Sequence, residues 1–517
     1  MGGTETGSLG AVIRRAAIVS CVAACACAGV ARAQSPTPII SGPVPPAYTS
    51  KGAPAIAHPI RGIPATPHNR FMAPNGESEI HDDGWQTDVN TWGGPLGRKP
   101  QTISSQIYRD CGSITFDPQG RVISICVGAS GPELYMFDPN TLETLATYSL
   151  PPRQSVPSNP FQDFTGGGYF YLDNQDRVVT STTTHHILVI AETPGSAGFT
   201  LVHDYDLTGV LSSSENITSA LPDSNGLLWF VTKTDGVVGT LNFATGKIQA
   251  VHPGSGTDGE IENSFATDQH GGVYIATDHK LYRFGAGPGG VPKVVWQVTY
   301  PNSGESKPGQ VDDGTGTTPT VMPGGYLNIT DNADPMDIMV YRTAARPFKW
   351  VRRHHHRHRV ALRRQVCKVP IFSKGSSADE NSIITAGRAM IAEDNYGYTK
   401  PAGAGAQVTT PGFVRVDLNH RGNGCHTVWT NTTEQAPTVV SKLSLANGLI
   451  YTYTTEANDN ANPWYWTALD FRTGELVYKT LSGTGLGYNN NYAGISISPR
   501  GYEYLGSLGG IMSLRDG

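Results

Sequence analysis

The chain has 517 residues, a formal net charge of −5 and only 16% charged residues, with 61 Gly and 36 Pro. This composition argues against a helix-rich protein and a general nucleic-acid binder. It fits many short strands joined by tight turns.

At the N-terminus, Arg14 and Arg15 precede an apolar run from Ala16 to Val30, and Ala31-Arg32-Ala33 supplies a small-x-small cleavage pattern. Residues 1–33 therefore read as a signal peptide, predicting a secreted or periplasmic protein. The competing reading is an anchor, uncleaved or lipid-attached, because Val22-Ala23-Ala24-Cys25 loosely resembles a lipobox. No later stretch is long and apolar enough for a transmembrane segment. Residues 34–80 read as a Pro-rich leader without periodicity, and residues 81–517 as a single β-propeller domain. Just at that boundary, His81-Asp82-Asp83-Gly84-Trp85-Gln86-Thr87-Asp88 mixes an imidazole with three carboxylates. We read it as a strap packing Trp85 on the barrel, with a lid or extra ligand donor over the channel as the alternative.

From Cys111 onward one unit recurs. It opens with an apolar strand, a tight turn with Asp first or Gly last, and a second apolar strand; a polar turn and two further strands follow. The turns are Asp117-Pro-Gln-Gly120, Asp173-Asn-Gln-Asp176, Asp223-Ser-Asn-Gly226 and Asp268-Gln-His-Gly271, residues suited to a tight reversal. Less regular copies begin near Thr318, Ser382, Val439 and Tyr492. Such a repeat, with no helical pattern between copies, predicts an all-β fold: a β-propeller of four-stranded antiparallel blades, eight by count and seven as the alternative. The last copy is short, so its missing strand is expected from residues 85–108, closing the ring.

Four cysteines follow the signal segment, which predicts two disulfides in an oxidising compartment. Cys111 and Cys126 are equidistant from the turn centre between Pro118 and Gln119, so they face each other across a hairpin. Cys367 and Cys425 precede edge-type segments of consecutive blades and are expected to pair between them. The stretch from Arg346 to Lys368 carries nine Lys or Arg residues with four His. We read it as a solvated hairpin extension of the fifth copy, able to meet an anionic surface or a stray transition metal.

In a blade, the loop entering the innermost strand and the loop leaving the second strand emerge on the same face. Three innermost strands are preceded by Glu-Asn (Glu215-Asn216, Glu262-Asn263, Glu380-Asn381). Four second strands end in aspartate (Asp235, Asp278, Asp331 with Asn332, Asp394 with Glu393 and Asn395). Together these predict a channel-mouth ring of carboxylate and amide oxygens. Hard cations want six to eight oxygens, so Ca²⁺ on Glu262, Asn263, Glu380, Asn381 and Asp394 is the metal expectation. Crowded carboxylates also suit acid–base work, with Glu262, Glu380 and Asp394 as candidate catalytic groups. Asn216, Asn263, Asn381, Asp331, Asn332 and Asn395 are the candidate ligand-binding residues. No Gly-x-Ser-x-Gly elbow, phosphate loop, His-Glu-x-x-His or haem attachment motif follows the signal segment, and no local spacing singles out a Ser-His-Asp triad.

Ala468-Leu-Asp470-Phe-Arg-Thr473-Gly474-Glu-Leu-Val-Tyr478 resembles the A-x-D-x-x-T-G-x-x-x-W blade motif of quinoprotein alcohol dehydrogenases, with Tyr478 where that family places Trp. Thr245-Gly246-Lys247 is a weaker echo. The resemblance implies an eight-bladed exported bacterial propeller of that superfamily's uncharacterised subgroup. It does not imply PQQ, because one imperfect motif stands alone and no adjacent cysteine pair is present. The Glu, Asn and Asp palette is also similar to that of gluconolactonase and senescence-marker propellers, which hold a divalent ion at the channel, though by analogy only. The leading expectation is a metal-assisted hydrolase of a polar ester, lactone or glycan-like substrate. The alternatives are a non-catalytic propeller binding a small molecule, glycan or partner, and a quinone-dependent dehydrogenase. The chain is expected to act as a monomer without nucleic acid.

Overall fold

The computed structural model describes residues 50–153, 163, 165–254, 259–353, 356–399, 401, 409–456 and 462–517. The signal-like segment 1–33 lies outside them, as do His354 and His355 of the basic run. The described chain is an eight-bladed β-propeller of antiparallel blades. Blade 1 comprises Asp110–Phe116, Val122–Gly128, Gly131–Phe137 and Thr144–Ser149. Blades 2 to 7 follow in chain order, their innermost strands starting at Phe170, Ile217, Ala266, Thr320, Ile384 and Lys442. Blade 8 pairs Ile495–Ile497, Glu503–Ser507 and Gly510–Arg515 with the early strand Gln101–Gln106. The ring is thus closed by a strand from the predicted segment.

The repeat is written in its turns. Between the first and second strands of blades 1 to 4, one Asp oxygen accepts two backbone N–H groups: Asp117 from Gln119 and Arg121, Asp173 from Gln175 and Arg177, Asp223 from Asn225 and Leu227, Asp268 from His270 and Gly272. The fourth residue takes a left-handed φ each time (Gly120 77°, Asp176 57°, Gly226 85°, Gly271 73°), a conformation that glycine adopts without strain. Innermost and second strands are buried on both faces. Outer strands such as Thr144–Ser149 alternate between half-buried and exposed, because only one of their faces meets a neighbouring blade.

Both disulfides join the predicted partners, Cys111 to Cys126 with Cα atoms 4.0 Å apart and Cys367 to Cys425 at 5.8 Å. They fit an oxidising, extracytoplasmic location. No helix among the described residues is long and apolar enough to cross a membrane. Arg346–Lys368 contributes the predicted extension, a hairpin of Phe348–Arg353 and His356–Ala361 set between the third and fourth strands of blade 5.

Residues 50–80, read from composition as part of a leader, lie against the ring. Lys51–Gly52 pairs with the outer strand of blade 7. Further on, the stretch from Asn69 to Asn90 meets the innermost strand of every blade. The backbone N–H groups of Leu172, Thr267, Val321, Thr385 and Leu443 donate to the carbonyls of Ser78, Gly84, Trp85, Thr87 and Asp88. Thr115 and Ile497 bond Glu77, and Asn69 donates to the carbonyl of Pro222. Without this segment the inner strands would present a buried edge of unpaired backbone groups. Composition could not report this, because the segment pairs with residues far away in sequence.

Candidate functional site

The channel segment is a plug whose Asp82 and Asp88 pair with a buried cation of blade 7. Lys442, wholly buried on the innermost strand of blade 7, donates to Asp82 Oδ1 at 2.6 Å, to Asp88 Oδ1 at 2.7 Å and to the carbonyl of Ile80. Burial disfavours its charge, but Asp82, Asp88 and Glu77 outweigh that cost and raise its pKa. Trp85 packs among Ala266, Tyr274 and Val321 of blades 4 and 5, as the strap reading expects. Beside it, His81 Nδ1 lies 3.2 Å from Asp88 Oδ1 and Oδ2, and His81 Nε2 lies 3.3 Å from Thr318 Oγ1. The Asp88 contact assigns the Nδ1–H tautomer, leaving Nε2 to accept the Thr318 hydroxyl.

Above the plug is a cavity of about 460 Å³ on the face carrying the loops that enter the innermost strands. Ile80 and His81 contribute from the plug, and Thr318, Asn263, Glu380 and Asn381 from the entry loops of three blades. Tyr169 donates to Asn263 Oδ1 at 3.3 Å, while Asn263 Nδ2 donates to the carbonyl of Thr315 at 3.2 Å. Glu380 Oε2 accepts the Val311 N–H at 3.2 Å, and its Oε1 is buried without a hydrogen bond. Burial, reinforced by Asp312 and Glu262, pushes Glu380 well above the usual carboxylate range. This shift favours the protonated form of Glu380, which can donate a hydrogen bond.

The other predicted residues divide. Glu262 stands behind the wall, 2.5 Å from Lys233, with its pKa pushed up to about 8 by burial, against Lys233 and with Asp312. Near it are Asp278, raised to about 9 by burial and then Asp312, and Asp312 itself, raised to about 7 by burial. Asp394 belongs to a different depression between Pro370 and Thr432. Its Oδ1 accepts the N–H groups of Ala378 and Tyr396. Asp331 likewise accepts from Ala333 and Asp337. Asn332 donates to the carbonyls of Glu305 and Asp313, and Asn395 to that of Gly309. Asn216 is half-buried and Asp235 exposed, and neither lines the cavity. Asp331 and Asp394 thus turn backbone, and of the Glu-Asn pairs only the second and third reach the site. Among the described residues no three His, Cys, Asp or Glu side chains converge as a metal-holding group. The site gains Thr318 and Tyr169, which sequence reasoning did not name as site residues, and His81 from the run read as a strap with a lid or extra ligand donor as the alternative.

The Ala468–Tyr478 motif forms a blade turn. Asp470 Oδ1 accepts the N–H groups of Arg472 and Thr473, Gly474 has φ 73°, and the Tyr478 hydroxyl donates to the carbonyl of Pro95.

No protein-family profile matches the sequence. An uncharacterized protein of Archaeoglobus fulgidus is 24% identical over 324 residues, 58% of this chain and 61% of the relative, so the chain spans under two thirds of that relative's length. Among solved structures, the C-terminal WD40 domain of Sif2 is 9% identical with a TM-score of 0.45, over 79% of this chain and 97% of that one. Virginiamycin B lyase from Staphylococcus aureus is 11% identical with a TM-score of 0.39, over 69% and 96%. Streptogramin B lyase is 11% identical with a TM-score of 0.36, over 82% and 99%.

Proposed function

We propose that the cavity is the active site of a hydrolase acting on a small polar ester or lactone. The observation that carries this reading is the Asp88–His81–Thr318 chain on the floor of the cavity whose wall holds Glu380. Asp88, itself anchored by Lys442, orients His81. His81 Nε2 takes the proton of the Thr318 hydroxyl as its oxygen attacks the carbonyl carbon. The amides of Asn263 and Asn381 and the carboxyl of Glu380 line the same cavity and hold the carbonyl oxygen, and protonated His81 returns its proton to the departing alkoxide. Water then cleaves the acyl group from Thr318, with His81 again as base.

The test is turnover of a panel of aryl esters and lactones. His81→Gln keeps a hydrogen-bonding group beside Thr318 but removes the base, and Thr318→Ala removes the nucleophile. Each is expected to lower kcat at least ~100-fold, while Thr318→Ser retains activity. A wild-type protein that binds members of the panel and turns over none would overturn hydrolysis. It would favour the second reading, a non-catalytic ligand-binding propeller. That reading draws on the burial of Thr318, whose residue is only 1% exposed.

A further inference from the structure

The hairpin of blade 5 lies away from this cavity. In a four-stranded antiparallel blade the turn after the third strand emerges on the face opposite the loops entering the innermost strand. The hairpin interrupts that turn, between Asp337–Arg342 and Gln365–Pro370, so it leaves from the far face of the ring. Its base is fixed: Arg364 donates to the carbonyls of Arg342, Ala344 and Ala345 and lies over Trp296 at 4.2 Å, while Lys368 pairs with Asp337 at 2.9 Å.

Register decides what the two strands display. Trp350 pairs with Arg359, Arg352 with Arg357 and Phe348 with Ala361. Directly opposed residues project to one face, so Phe348, Trp350, Arg352, Arg357 and Arg359 share a surface. Phe348 and Trp350 meet edge-on at 5.8 Å, and the Arg359 guanidinium sits 3.7 Å over the Phe348 ring. Trp350 is nevertheless 56% exposed and Phe348 40%. No acidic residue occurs between Arg346 and Lys368, and Arg352, Arg357 and Arg359 form no ion pair among the described residues. A basic face carrying an exposed Trp and Phe stands out on a chain whose net charge is −5.

We propose that this hairpin docks the protein on an anionic lipid surface. The arginines meet headgroup phosphates, and Trp350 and Phe348 enter the interfacial layer, where an amphipathic ring next to a guanidinium is favoured. Charge complementarity selects anionic over neutral lipid. The aromatic pair selects a bilayer over a purely hydrated polyanion, since its rings need an apolar layer to enter. Docked this way, the cavity mouth faces away from the membrane.

The experiment is co-sedimentation of the full chain with phosphatidylglycerol-containing vesicles and with pure phosphatidylcholine vesicles. Binding to the first only, reversed by high salt, is expected. Each Arg→Gln change at 352, 357 or 359 should weaken it roughly fivefold. Trp350→Ala should weaken binding without changing its salt dependence, and all variants should keep the wild-type thermal melt. Equal binding to neutral vesicles would overturn the proposal. So would the absence of vesicle binding, including the case where soluble heparin or single-stranded DNA is retained instead.

Discussion

Lys442 is the residue on which the channel's electrostatics turn. Removing it by Lys442→Met leaves Asp82 and Asp88 buried without their cation, and breaking a buried ion pair in this way costs ~3–5 kcal/mol. The thermal midpoint should fall markedly, and a midpoint within a degree or so of wild type would show that the network is not held by this charge. The acidic wall gives a second prediction. Glu262, Asp278 and Asp312 have native pKa values raised to about 8, 9 and 7 from ordinary values of 4.5, 3.8 and 3.8. Raised carboxyl pKa values mean that the native state holds protons the unfolded state has released. Stability is therefore full below the ordinary carboxylate range and is lost as pH rises from there to about 7 to 9, by at most roughly 1.4 kcal/mol per group for each pH unit. Thermal melts from pH 5 to pH 9 should decline over that window, and Glu262→Gln should flatten the decline. The sequence leads one to expect a calcium ion on Glu262, Asn263, Glu380, Asn381 and Asp394, of which Asp394 lies in a separate depression. A higher midpoint in calcium than in chelator supports it, and identical midpoints remove it.

At the scale of elements, the first hairpin shows how a correct pairing can be inferred with an incomplete register. Cys111 does face Cys126, but nearer the turn Ile114 pairs with Ser124 and Phe116 with Val122, one residue out of step with a uniform register. A β-bulge between Cys111 and Ile114 absorbs the difference, and periodicity alone does not reveal a bulge. The closing strand is a further test. Gln101–Gln106 is paired along its length with Gly510–Arg515. Across the next interface Gly506 approaches blade 1 so closely that a Cβ would lie 1.9 Å from the Cys111 carbonyl oxygen. Gly506→Ala should therefore force blades 8 and 1 apart. It should lower the thermal midpoint more than Gly209→Ala, where the added methyl meets nothing within 4 Å. Equal effects of the two substitutions would show that the seam is not tightly packed.

For the molecule as a whole, local chemistry made the blades legible. The Asp-first turns, the left-handed fourth residue and the short apolar strands are each set by neighbours in the chain, so the repeat, the ring closure and both disulfides could be read from it. The candidate site was only partly legible. The Glu-Asn pairs pointed to the correct face, and two of the three reach the cavity or its wall. The aspartates that end strands look alike in sequence whether they turn backbone, as Asp331 and Asp394 do, or face a ligand. Lys442 gave little warning, being one charged residue in a short strand. Its partners Asp82 and Asp88 lie about 360 positions away in sequence. The sequence by itself determined that this is a ring of four-stranded blades stapled by two disulfides. Only the tertiary structure decided that residues 69–90 fill the channel and bring His81 to Thr318, because burial and charge pairing there depend on contacts that sequence distance conceals.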